Sequence, residues 1–506
     1  MTARVSSVDA RTGAVLELEA APADTGRVDA VVRAAASTAP ALSAAGIPGR
    51  ARLLRAISDA ITQDQEPITA AADRETALGP ARVHSELART AYQLRLFAEV
   101  LEDGAFLDIT IDHPDPDAIP APRPDLRRMM LPIGPVGVFS ASNFPLAFSV
   151  AGGDTASALA AGCPVVVKAH SGHPQTSELT AAAVRRAAVA AGLPAEVLTV
   201  VHGRQAGRDL VNHPLMKAVG FTGSLAGGRA LYDLACARPE PIPFYGELGS
   251  INPLVVTPAA AAQRAERIAA GLAGSFTMGL GQFCTKPGLA FIPAGPDGQR
   301  LTAALVEAAA PVTAGAMLTP SIREGYAAGL AERVNHPGVR APLASVPGEL
   351  VGPHVLSLPA AELTDLFYEE CFGPLVVLVE YSTVDELVAA LARAPGTLTA
   401  TIHSGTDEDG PVSVAARAAA VLRERAGRLV WNGYPTGVAV TWAMQHGGPY
   451  PSSTFASHTS VGTAAIHRFL RPVTYQDTPP GLLPPELREE NPLRLPRRVD
   501  GAYQLP

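Results

Sequence analysis

A cysteine in a tightly turned, glycine-rich stretch is the first candidate for chemistry in this sequence. Cys284 lies within Gly-Leu-Gly-Gln-Phe-Cys-Thr-Lys-Pro-Gly at residues 279–288. Glycines permit positive φ angles and proline fixes its own, so such a turn can present a thiol to a cleft. A thiolate is a strong nucleophile. A lone cysteine is more often a small buried hydrophobic residue, so its interpretation depends on the rest of the chain.

Four other candidate sites each adjoin a short apolar run that is typical of a strand. They are Asn143 after residues 136–140, Lys168 after 164–167, Gly223 with Ser224 after 218–222, and Glu247 before a second strand-and-helix pattern. Proteins with parallel sheets bind phosphates and other ligands where strands end and helices begin. The glycine-rich dinucleotide fingerprint GxGxxG is absent, so each site taken alone is weak support for a cofactor.

These sites need elements to position them, and the hydrophobic pattern supplies two sets. Residues 1–108 open with a short strand-like segment and continue as helices that we interpret as scaffold. Short apolar strands then alternate with helices from residue 131 to about 248, and a second alternation follows as far as 432. Such alternation predicts doubly wound, largely parallel α/β sheets. The proline-rich segment 108–128 suits an exposed edge ribbon, and the tail from 478 an extended arm packed on a neighbour or partly loose.

Composition narrows the class of protein and its compartment. The 506 residues predict two or three domains, and 47% hydrophobic with 17% charged residues argues against global disorder. A net charge of −8 offers no electrostatic reason to expect a nucleic-acid partner. The four cysteines lack zinc-site or disulfide-framework spacing, and the first residues lack the basic and apolar regions of a secretory signal. Alanine-rich runs are interrupted too often for a membrane span, so we expect a cytoplasmic protein without metal.

Six stretches in order resemble the aldehyde dehydrogenase superfamily over nearly the whole chain. They are Ser-Asn-Phe-Pro at 142–145, Val-Val-Val-Lys at 165–168, Gly-Phe-Thr-Gly-Ser-Leu-Ala-Gly-Gly at 220–228, Glu-Leu-Gly-Ser-Ile-Asn-Pro at 247–253, Gly-Gln-Phe-Cys-Thr at 281–285 and Glu-Cys-Phe-Gly-Pro at 370–374. The resemblance implies an α/β fold with a Rossmann-like cofactor domain at 1–108 and 129–248 and an α/β catalytic domain at 249–458. It also implies a small β oligomerisation arm and C-terminal tail at 109–128 and 459–506.

The resemblance assigns the catalytic roles. Cys284 would be the nucleophile that forms a tetrahedral adduct with an aldehyde. The side-chain amide of Asn143 and the backbone N–H of Cys284 would stabilise the oxyanion of that adduct. After hydride leaves, Glu247 would activate water to hydrolyse the thioester, and it is a candidate for taking the Cys284 proton.

The resemblance also implies a bound nicotinamide cofactor. Lys168 would bind the adenosine ribose, and Glu370 the nicotinamide ribose with Phe372 as a neighbouring wall. The full set of predicted cofactor contacts is Phe139, Ser140, Lys168, Ser171, Arg204, Gly223, Ser224, Gly228, Glu370 and Phe372. Many NAD-preferring members carry glutamate three residues after the ribose lysine, where this chain has Ser171. Without that carboxylate, Lys168 and Arg204 could pair with a 2′-phosphate, which favours NADP or use of both cofactors.

The C-terminal part of the sequence points to a substrate class. Residues 431–440, 446–451 and 460–475 resemble one branch, the α-ketoglutaric semialdehyde (2,5-dioxopentanoate) dehydrogenases, close to NADP-dependent fatty-aldehyde dehydrogenases. That branch implies oxidation of 2,5-dioxopentanoate to 2-oxoglutarate. Two positions depart from common patterns: Ser142 replaces a frequent tryptophan, and Ala439 a frequent glutamate. His446 is a candidate for binding the substrate's distal carboxylate, but its glycine and proline neighbours suit an ordinary loop residue equally well.

Other functions stay open at this point. An apolar pocket built from Phe144, Phe148 and Phe283 would suit a broad medium-chain or aromatic aldehyde dehydrogenase. A CoA-acylating enzyme would have less need of Glu247. A catalytically silent oligomeric binding protein on the same fold would be signalled by loss of the three catalytic residues, all of which are present. The segments 110–128 and 469–475 resemble subunit-pairing segments, which implies a homodimer or a homotetramer.

Overall fold

The N-terminal part is a small hairpin followed by a group of helices. The computed structural model describes residues 4–345, 348–408 and 410–505, so the first three residues of the segment that we interpreted as lacking a signal lie outside it. The elements of this part are β1 (Ser6–Val8), β2 (Val15–Glu17), α1 (Thr25–Ser37), α2 (Ala39–Ala44), α3 (Gly46–Gln63), α4 (Gln65–Thr76) and α5 (Pro80–Asp103). Asp24 caps α1 by accepting the Arg27 N–H, and the valines at 28, 31 and 32 are buried on one face, as their spacing predicts.

The next part contains a parallel five-stranded sheet. Its elements, after β3 (Thr110–Asp112) and β4 (Leu126–Pro132), are β5 (Val136–Phe139), α6 (Gly153–Ala161), β6 (Val165–Lys168), α7 (Pro174–Ala190), β7 (Leu198–Val201), α8 (Arg204–Asn212), β8 (Ala218–Thr222), α9 (Leu225–Cys236) and β9 (Phe244–Glu247). The strand order is β7-β6-β5-β8-β9. Every pairing in this sheet is parallel, so all five carboxyl ends lie at one edge.

A second sheet of seven strands follows, also mostly parallel. Its part of the chain contains β10 (Leu254–Val256), α10 (Pro258–Thr277), β11 (Leu289–Pro293), α11 (Pro296–Ala309), α12 (Pro320–Val334), β12 (Arg340–Leu343), β13 (His354–Pro359), α13 (Asp365–Tyr368), β14 (Leu375–Tyr381), α14 (Val384–Arg393), β15 (Thr397–His403), α15 (Val414–Leu422) and β16 (Ala426–Trp431). The strand order is β12-β13-β14-β11-β10-β15-β16, with β12 antiparallel to β13. Two alternating α/β halves were predicted, and the fold confirms them.

The third sheet joins distant segments, in the order β17-β4-β3-β18-β19. It adds β17 (Leu470–Gln476), β18 (Arg497–Val499) and β19 (Ala502–Gln504). We expected the tail from 478 to pack on a neighbour or to be partly loose. Instead β18 pairs with β3 of the same chain, because Leu487, Leu495 and Val499 are apolar and join the core beneath the N-terminal helices. The domain boundaries given above stay a prediction.

Two features relate to the expectations from composition. The cysteines at 163, 236, 284 and 371 are all free. Across the described ranges, no single helix is long and apolar enough to cross a membrane. The segments Thr25–Ala44 and Gly46–Gln63 pass that test only as a pair, and they are bent by 118° relative to each other. Much of the apolar surface of α1 and α3 is buried against the rest of the chain.

Candidate active site

The carboxyl edge of the five-stranded sheet collects most of the predicted cofactor residues. Phe139, Lys168 and Glu247 are the last residues of β5, β6 and β9. Ser140, Ser171, Arg204, Gly223 and Ser224 lie in the turns or helix starts that follow those strands or their neighbours. Parallel pairing therefore brings nine of the thirteen predicted site residues, counting Asn143 after β5, to one edge of the molecule.

The start of α9 has small residues that would let a ligand approach its backbone closely. Ser224 caps this helix, and its hydroxyl accepts the N–H of Gly227 at 3.3 Å. A Cβ on Gly228 would lie 2.1 Å from Cδ2 of Leu248, and one on Gly223 would lie 2.7 Å from the ring of Phe221. A side chain at either position would therefore require Leu248 or Phe221 to move. A helix N-terminus with small residues around it suits the pyrophosphate of a dinucleotide, so this part of the chain fits the expected cofactor.

Lys168, at the end of β6, lies against α8, the helix that begins at Arg204: a Cβ on Gly207 of this helix would lie 3.5 Å from Cγ of Lys168. Burial and the neighbouring positive charge of Arg204 lower the pKa of Lys168. Among the described residues, no carboxylate lies within ion-pair distance of either side chain, and Ser171 is exposed in the turn after β6. Two adjacent cations without an internal anion indicate a site for an anionic ligand group.

Glu370 comes from the other half of the chain, in the loop between α13 and β14. A Cβ on Gly249 would lie 2.8 Å from its Oε2, and the Ser250 N–H hydrogen-bonds to its carboxylate. Burial raises the pKa of Glu370 to about 7, although the charge of Lys286 acts in the opposite direction. Phe372, also predicted as a cofactor contact, is half-buried in the same loop. The loop thus lies directly against the segment that follows Glu247.

The reaction centre is a triangle of Cys284, His446 and Glu247. The sulfur of Cys284 lies 3.6 Å from Nε2 of His446, which lies 3.0 Å from Oε1 of Glu247. Ser460 donates its hydroxyl to the other carboxylate oxygen of Glu247 at 2.5 Å. The three reactive atoms all lie within 4.8 Å of one another. Because a carboxylate can only accept, we assign a proton to Nε2 of His446.

The protonation of this triangle follows from burial and charge. Burial and the adjacent charge of Glu247 raise the pKa of Cys284 well above its usual value, so the resting group is a thiol. Burial alone would raise the pKa of Glu247 as well. The charge of His446 and the hydrogen bonds from His446 and Ser460 outweigh that effect and lower the pKa of Glu247. The centre therefore combines a protonated nucleophile with an ionised base.

Asn143 is tied to the cysteine loop from the opposite half of the chain. Its Nδ2 donates to the carbonyl of Gln282 at 2.9 Å, and the residue is buried. An amide nitrogen carries two protons, so a second N–H is available for another acceptor. The structure brings all three predicted catalytic residues, Cys284, Glu247 and Asn143, into one centre.

Asn252 holds the same loop and was not predicted. This buried residue has a φ of 51°, in the left-handed region that asparagine tolerates better than most residues. Its Nδ2 donates to the carbonyls of Cys284 at 2.7 Å and Lys286 at 2.9 Å. Its Oδ1 accepts from the Ser250 hydroxyl and from the backbone N–H of Thr399. Asn252 therefore fixes the cysteine loop to β15.

Sequence reasoning also missed the groups around Glu247. His446 is 1% exposed and adjoins both the thiol and the carboxylate, whereas the sequence left it between a ligand and a loop residue. It lies in an irregular segment, as expected of a loop residue, and its ring contacts the reaction centre, whereas a role at the distal carboxylate stays a prediction. A histidine flanked by glycines was the available signal. Neither Ser460 nor Lys286 had a distinguishing sequence pattern. The Nζ of Lys286 donates to the carbonyls of Cys371 and Leu375.

An aromatic wall adjoins the reaction centre. Phe144 contacts Phe148 and Phe283 edge-to-face, with ring centroids 5.1 and 5.4 Å apart. The Phe148 ring lies 6.5 Å from the His446 ring. These are the three phenylalanines that the sequence suggested for an apolar pocket, and the structure brings them together.

Comparisons with known proteins agree with this geometry. The family model described as the aldehyde dehydrogenase family matches residues 3–474. The chain is 48% identical over 465 residues to alpha-ketoglutaric semialdehyde dehydrogenase 2 of Azospirillum brasilense, covering 90% of this chain and 88% of that protein. It is 43% identical over 437 residues to alpha-ketoglutaric semialdehyde dehydrogenase of Acinetobacter baylyi, covering 85% and 82%.

Solved structures show the same fold at lower identity. Aldehyde dehydrogenase 21 of Physcomitrella patens, solved with the reaction product succinate, has a TM-score of 0.80 at 21% identity and covers 95% of this chain and 96% of its own. A mutant of aldehyde dehydrogenase C from Pseudomonas syringae, solved with NAD+ and octanal, has a TM-score of 0.78 at 22% identity and covers 96% and 95%. With its fold, its thiol–carboxylate centre and a family match over most of its length, the chain belongs to the aldehyde dehydrogenase family.

Proposed function

We propose that this protein oxidises 2,5-dioxopentanoate to 2-oxoglutarate, with NADP as its preferred cofactor. Oxidation of an aldehyde to an acid with NAD or NADP is the activity of its family. The substrate is supported by the two relatives at 48% and 43% identity, both named for α-ketoglutaric semialdehyde. The geometry that carries the reaction is the contact of Cys284 with His446 and Glu247 at one buried centre.

Attack on the aldehyde begins with removal of the thiol proton. Because the pKa of Cys284 is raised, the proton must leave as the carbon–sulfur bond forms. Glu247 is ionised and within reach, so it accepts that proton. Once this carboxylate is neutralised, the Nε2–H of His446 can be shared with the sulfur, 3.6 Å away, as negative charge develops there. The free N–H of Asn143 and the backbone N–H of Cys284 then stabilise the oxyanion of the adduct.

The second half of the reaction regenerates the enzyme. A nicotinamide cofactor, held by residues that include Lys168 and Glu370, would supply the hydride acceptor for this oxidation, which would leave a thioester to Cys284. Glu247 first releases to solvent the proton that it took from Cys284, and it then removes a proton from a water molecule, which attacks the thioester carbon. The carbon–sulfur bond breaks, the acid leaves and the thiolate regains its proton. The hydrogen bonds from His446 and Ser460 hold both oxygens of Glu247 in place for this step.

The choice of NADP is supported by the charges at the adenosine end of the cleft. Lys168 and Arg204 adjoin one another without an internal carboxylate among the described residues, and no carboxylate side chain occupies position 171. A 2′-phosphate would neutralise these cations, whereas the 2′-hydroxyl of NAD would leave them uncompensated. The pocket therefore favours the phosphorylated cofactor.

A broader aldehyde specificity is the second candidate. The edge-to-face cluster of Phe144, Phe148 and Phe283 offers an apolar surface that would suit medium-chain or aromatic aldehydes. This candidate shares the whole mechanism above and differs only in what the far end of the pocket binds.

Initial rates of cofactor reduction separate the two candidates. The purified protein is assayed with 2,5-dioxopentanoate, succinate semialdehyde, hexanal and benzaldehyde, each with NAD and NADP. We expect kcat/KM for 2,5-dioxopentanoate to exceed the others by about tenfold or more, which corresponds to about 1.4 kcal/mol of transition-state discrimination. If hexanal or benzaldehyde has the highest value, the aromatic surface determines specificity and the substrate proposal is wrong.

We further propose that the protein is a cytoplasmic homodimer or homotetramer. The strand β17 is at the end of its sheet, so its outer backbone groups have no partner strand among the described residues. An unpaired edge of this length can pair with a second copy. Light scattering during gel filtration would give the mass, and a monomer at micromolar concentration would contradict the proposal.

A further inference from the structure

This inference rests on the proposed function and concerns the end of the substrate remote from the aldehyde. A dicarboxylic semialdehyde carries a carboxylate there, and burying a charge without a partner is costly. A pocket for such a substrate therefore needs a cation or a group of hydrogen-bond donors beside the aromatic wall. The helix α5 presents two arginines to this region, Arg82 and Arg89.

The two arginines differ in what they already bind. Arg82 lies 3.4 Å from the carboxylate of Glu86, and its guanidinium stacks 4.3 and 4.8 Å from the ring centroids of Phe144 and Phe283. Arg89 donates only to the backbone carbonyl of Val438, and its Nε is buried without a hydrogen-bond partner. In the part of the chain that the structure describes, no carboxylate lies within ion-pair distance of Arg89.

Arg89 is also directed toward the reaction centre. Its Cζ lies 5.9 Å from the ring centroid of Phe148, which in turn packs against His446. Burial lowers the pKa of Arg89, while the charges of Glu86 and Glu247 act in the opposite direction, so these two carboxylates lie close enough to act on the guanidinium. An arginine keeps its charge even when its pKa is lowered by burial.

Another arginine, Arg428, fixes the loop that Arg89 contacts. Arg428 on β16 donates to the carbonyls of Pro435 at 2.6 Å and Gly437 at 3.3 Å. Arg89 reaches the same loop at Val438. Two side chains from separate elements thus hold residues 435–438, so the loop is a fixed wall of the pocket.

We propose that Arg89 is the specificity-determining residue that binds the distal carboxylate of the substrate. A half-buried cation without an internal anion, with a buried and unpartnered Nε–H, adjoins the aromatic wall and meets the chemical requirement of a five-carbon semialdehyde acid. The carboxylate accepts from the guanidinium, including the Nε–H that has no protein partner, while Cys284 attacks the aldehyde at the other end. Arg82 is less suited because Glu86 already offsets its charge.

The test compares two substrates of equal chain length. Values of kcat/KM are measured for 2,5-dioxopentanoate and for pentanal, which lacks the carboxylate, and their ratio is the readout. In Arg89→Met we expect this ratio to fall about tenfold or more through a higher KM for the acid, with pentanal changed by about twofold at most. Arg89→Lys retains the charge and is expected to lie between the two. Arg95→Met, an exposed position on the same helix, is the matched control.

A binding measurement covers the case in which a variant turns over poorly. Glutarate, an unreactive five-carbon dicarboxylate, is expected to raise the melting temperature of the cofactor-loaded wild type and to have a much smaller effect on Arg89→Met. An equal loss of activity with both substrates, together with unchanged stabilisation by glutarate, would mean that Arg89 only supports the loop. A selective loss in Arg82→Met with none in Arg89→Met would move the role to Arg82. Either result overturns the inference.

Failure of the proposed function gives a different pattern. If the wild type itself does not prefer 2,5-dioxopentanoate to pentanal, the substrate proposal is wrong whatever the variants do. If the wild type has the preference and Arg89→Met keeps it, the substrate proposal stands and only the role of Arg89 is refuted.

Discussion

The reaction centre differs from the two proposed ligand-binding regions in whether its charged side chains have hydrogen-bonding partners within the protein. At the centre, Glu247 receives hydrogen bonds on both carboxylate oxygens, from His446 and Ser460. At the proposed adenosine end the charge that acts on Lys168 is another cation, Arg204, and at the proposed substrate end Arg89 donates to a backbone carbonyl. The first arrangement is complete within the protein, whereas the other two leave charge uncompensated.

This difference corresponds to two functions, proton transfer at the reaction centre and binding of anionic groups in the other two regions. Groups that exchange protons with one another must lie in contact before the substrate arrives, because their geometry sets the barrier. Groups that bind an anionic ligand are most effective when the protein supplies no competing anion. The uncompensated cations are therefore stabilised when the ligand binds, and the predictions below test each side of this contrast.

The largest effect is expected at the base. In Glu247→Gln the water that hydrolyses the thioester is no longer activated, so kcat should fall about 10²- to 10⁴-fold. A rapid-quench or stopped-flow experiment would detect a first burst of reduced cofactor if the thioester still forms. Glu240→Gln, at an exposed position, is the control. A kcat within about tenfold of wild type would mean that another group is the base.

Removing one of the cations that we propose to bind the adenosine end of the cofactor should abolish the proposed preference for NADP. In Arg204→Gln, kcat/KM with NADP is expected to fall about 10- to 100-fold, the usual effect of losing one charge-assisted hydrogen bond. The value with NAD should change by about threefold at most. Arg208→Gln, on the exposed part of the same helix, is the matched control. Equal losses with both cofactors would contradict a role in binding the 2′-phosphate.

Loss of the imidazole should shift the pH profile. Because the His446 charge and hydrogen bond lower the pKa of Glu247, the variant His446→Asn should raise that pKa. Activity requires the ionised carboxylate, so the acid limb of the kcat profile should move to higher pH, with kcat about tenfold lower at neutral pH. An unchanged acid limb would show that His446 does not act on Glu247.

The smallest effect concerns the cofactor's nicotinamide end. Burial raises the pKa of Glu370 to about 7, and the ionised form is the one that could accept hydrogen bonds from both ribose hydroxyls, the role expected for this residue. Cofactor affinity of the wild type should therefore increase several-fold as pH rises from about 6 to about 8. Fluorescence titration of NADPH would measure it. In Glu370→Gln the affinity should be lower and nearly independent of pH, and a retained pH dependence would assign it to another group.

Particular residues show how much of the fold and the site could be predicted from the sequence. The strands ending at Phe139 and Lys168 are apolar runs of strand length, so most of the parallel sheet and its ligand edge were predictable, whereas the short strand ending at Glu247 was not predicted. The resemblance then supplied the catalytic residues. The two parallel halves are confirmed, but the packing of the tail on its own chain was not expected, since its proline-rich composition hid the apolar contacts of Leu487 and Leu495.

The side chains that contact the catalytic residues could not be predicted from the sequence. His446 is 199 positions from Glu247 and Ser460 is 213 positions away, so no local spacing connects them. Asn252 belongs to the motif at residues 247–253. Its role nevertheless depends on carbonyls of the cysteine loop that only tertiary packing brings near. Arg89 has the spacing of an ordinary helix residue, and its lack of an anion partner is a property of the folded protein.

The irregular segment that carries His446 and Ser460 has a consequence for how the enzyme loses activity. Residues 441–462 contain no helix or strand beyond a single bridge, between Glu247 and Ser453. Segments held by few backbone bonds open locally at a lower free energy than the sheets beside them. In mild denaturant, amide hydrogen exchange should therefore be fastest in this segment within the cleft. The enzyme would become inactive while its circular dichroism still indicates a folded protein, so half-inactivation and half-unfolding would occur at different denaturant concentrations.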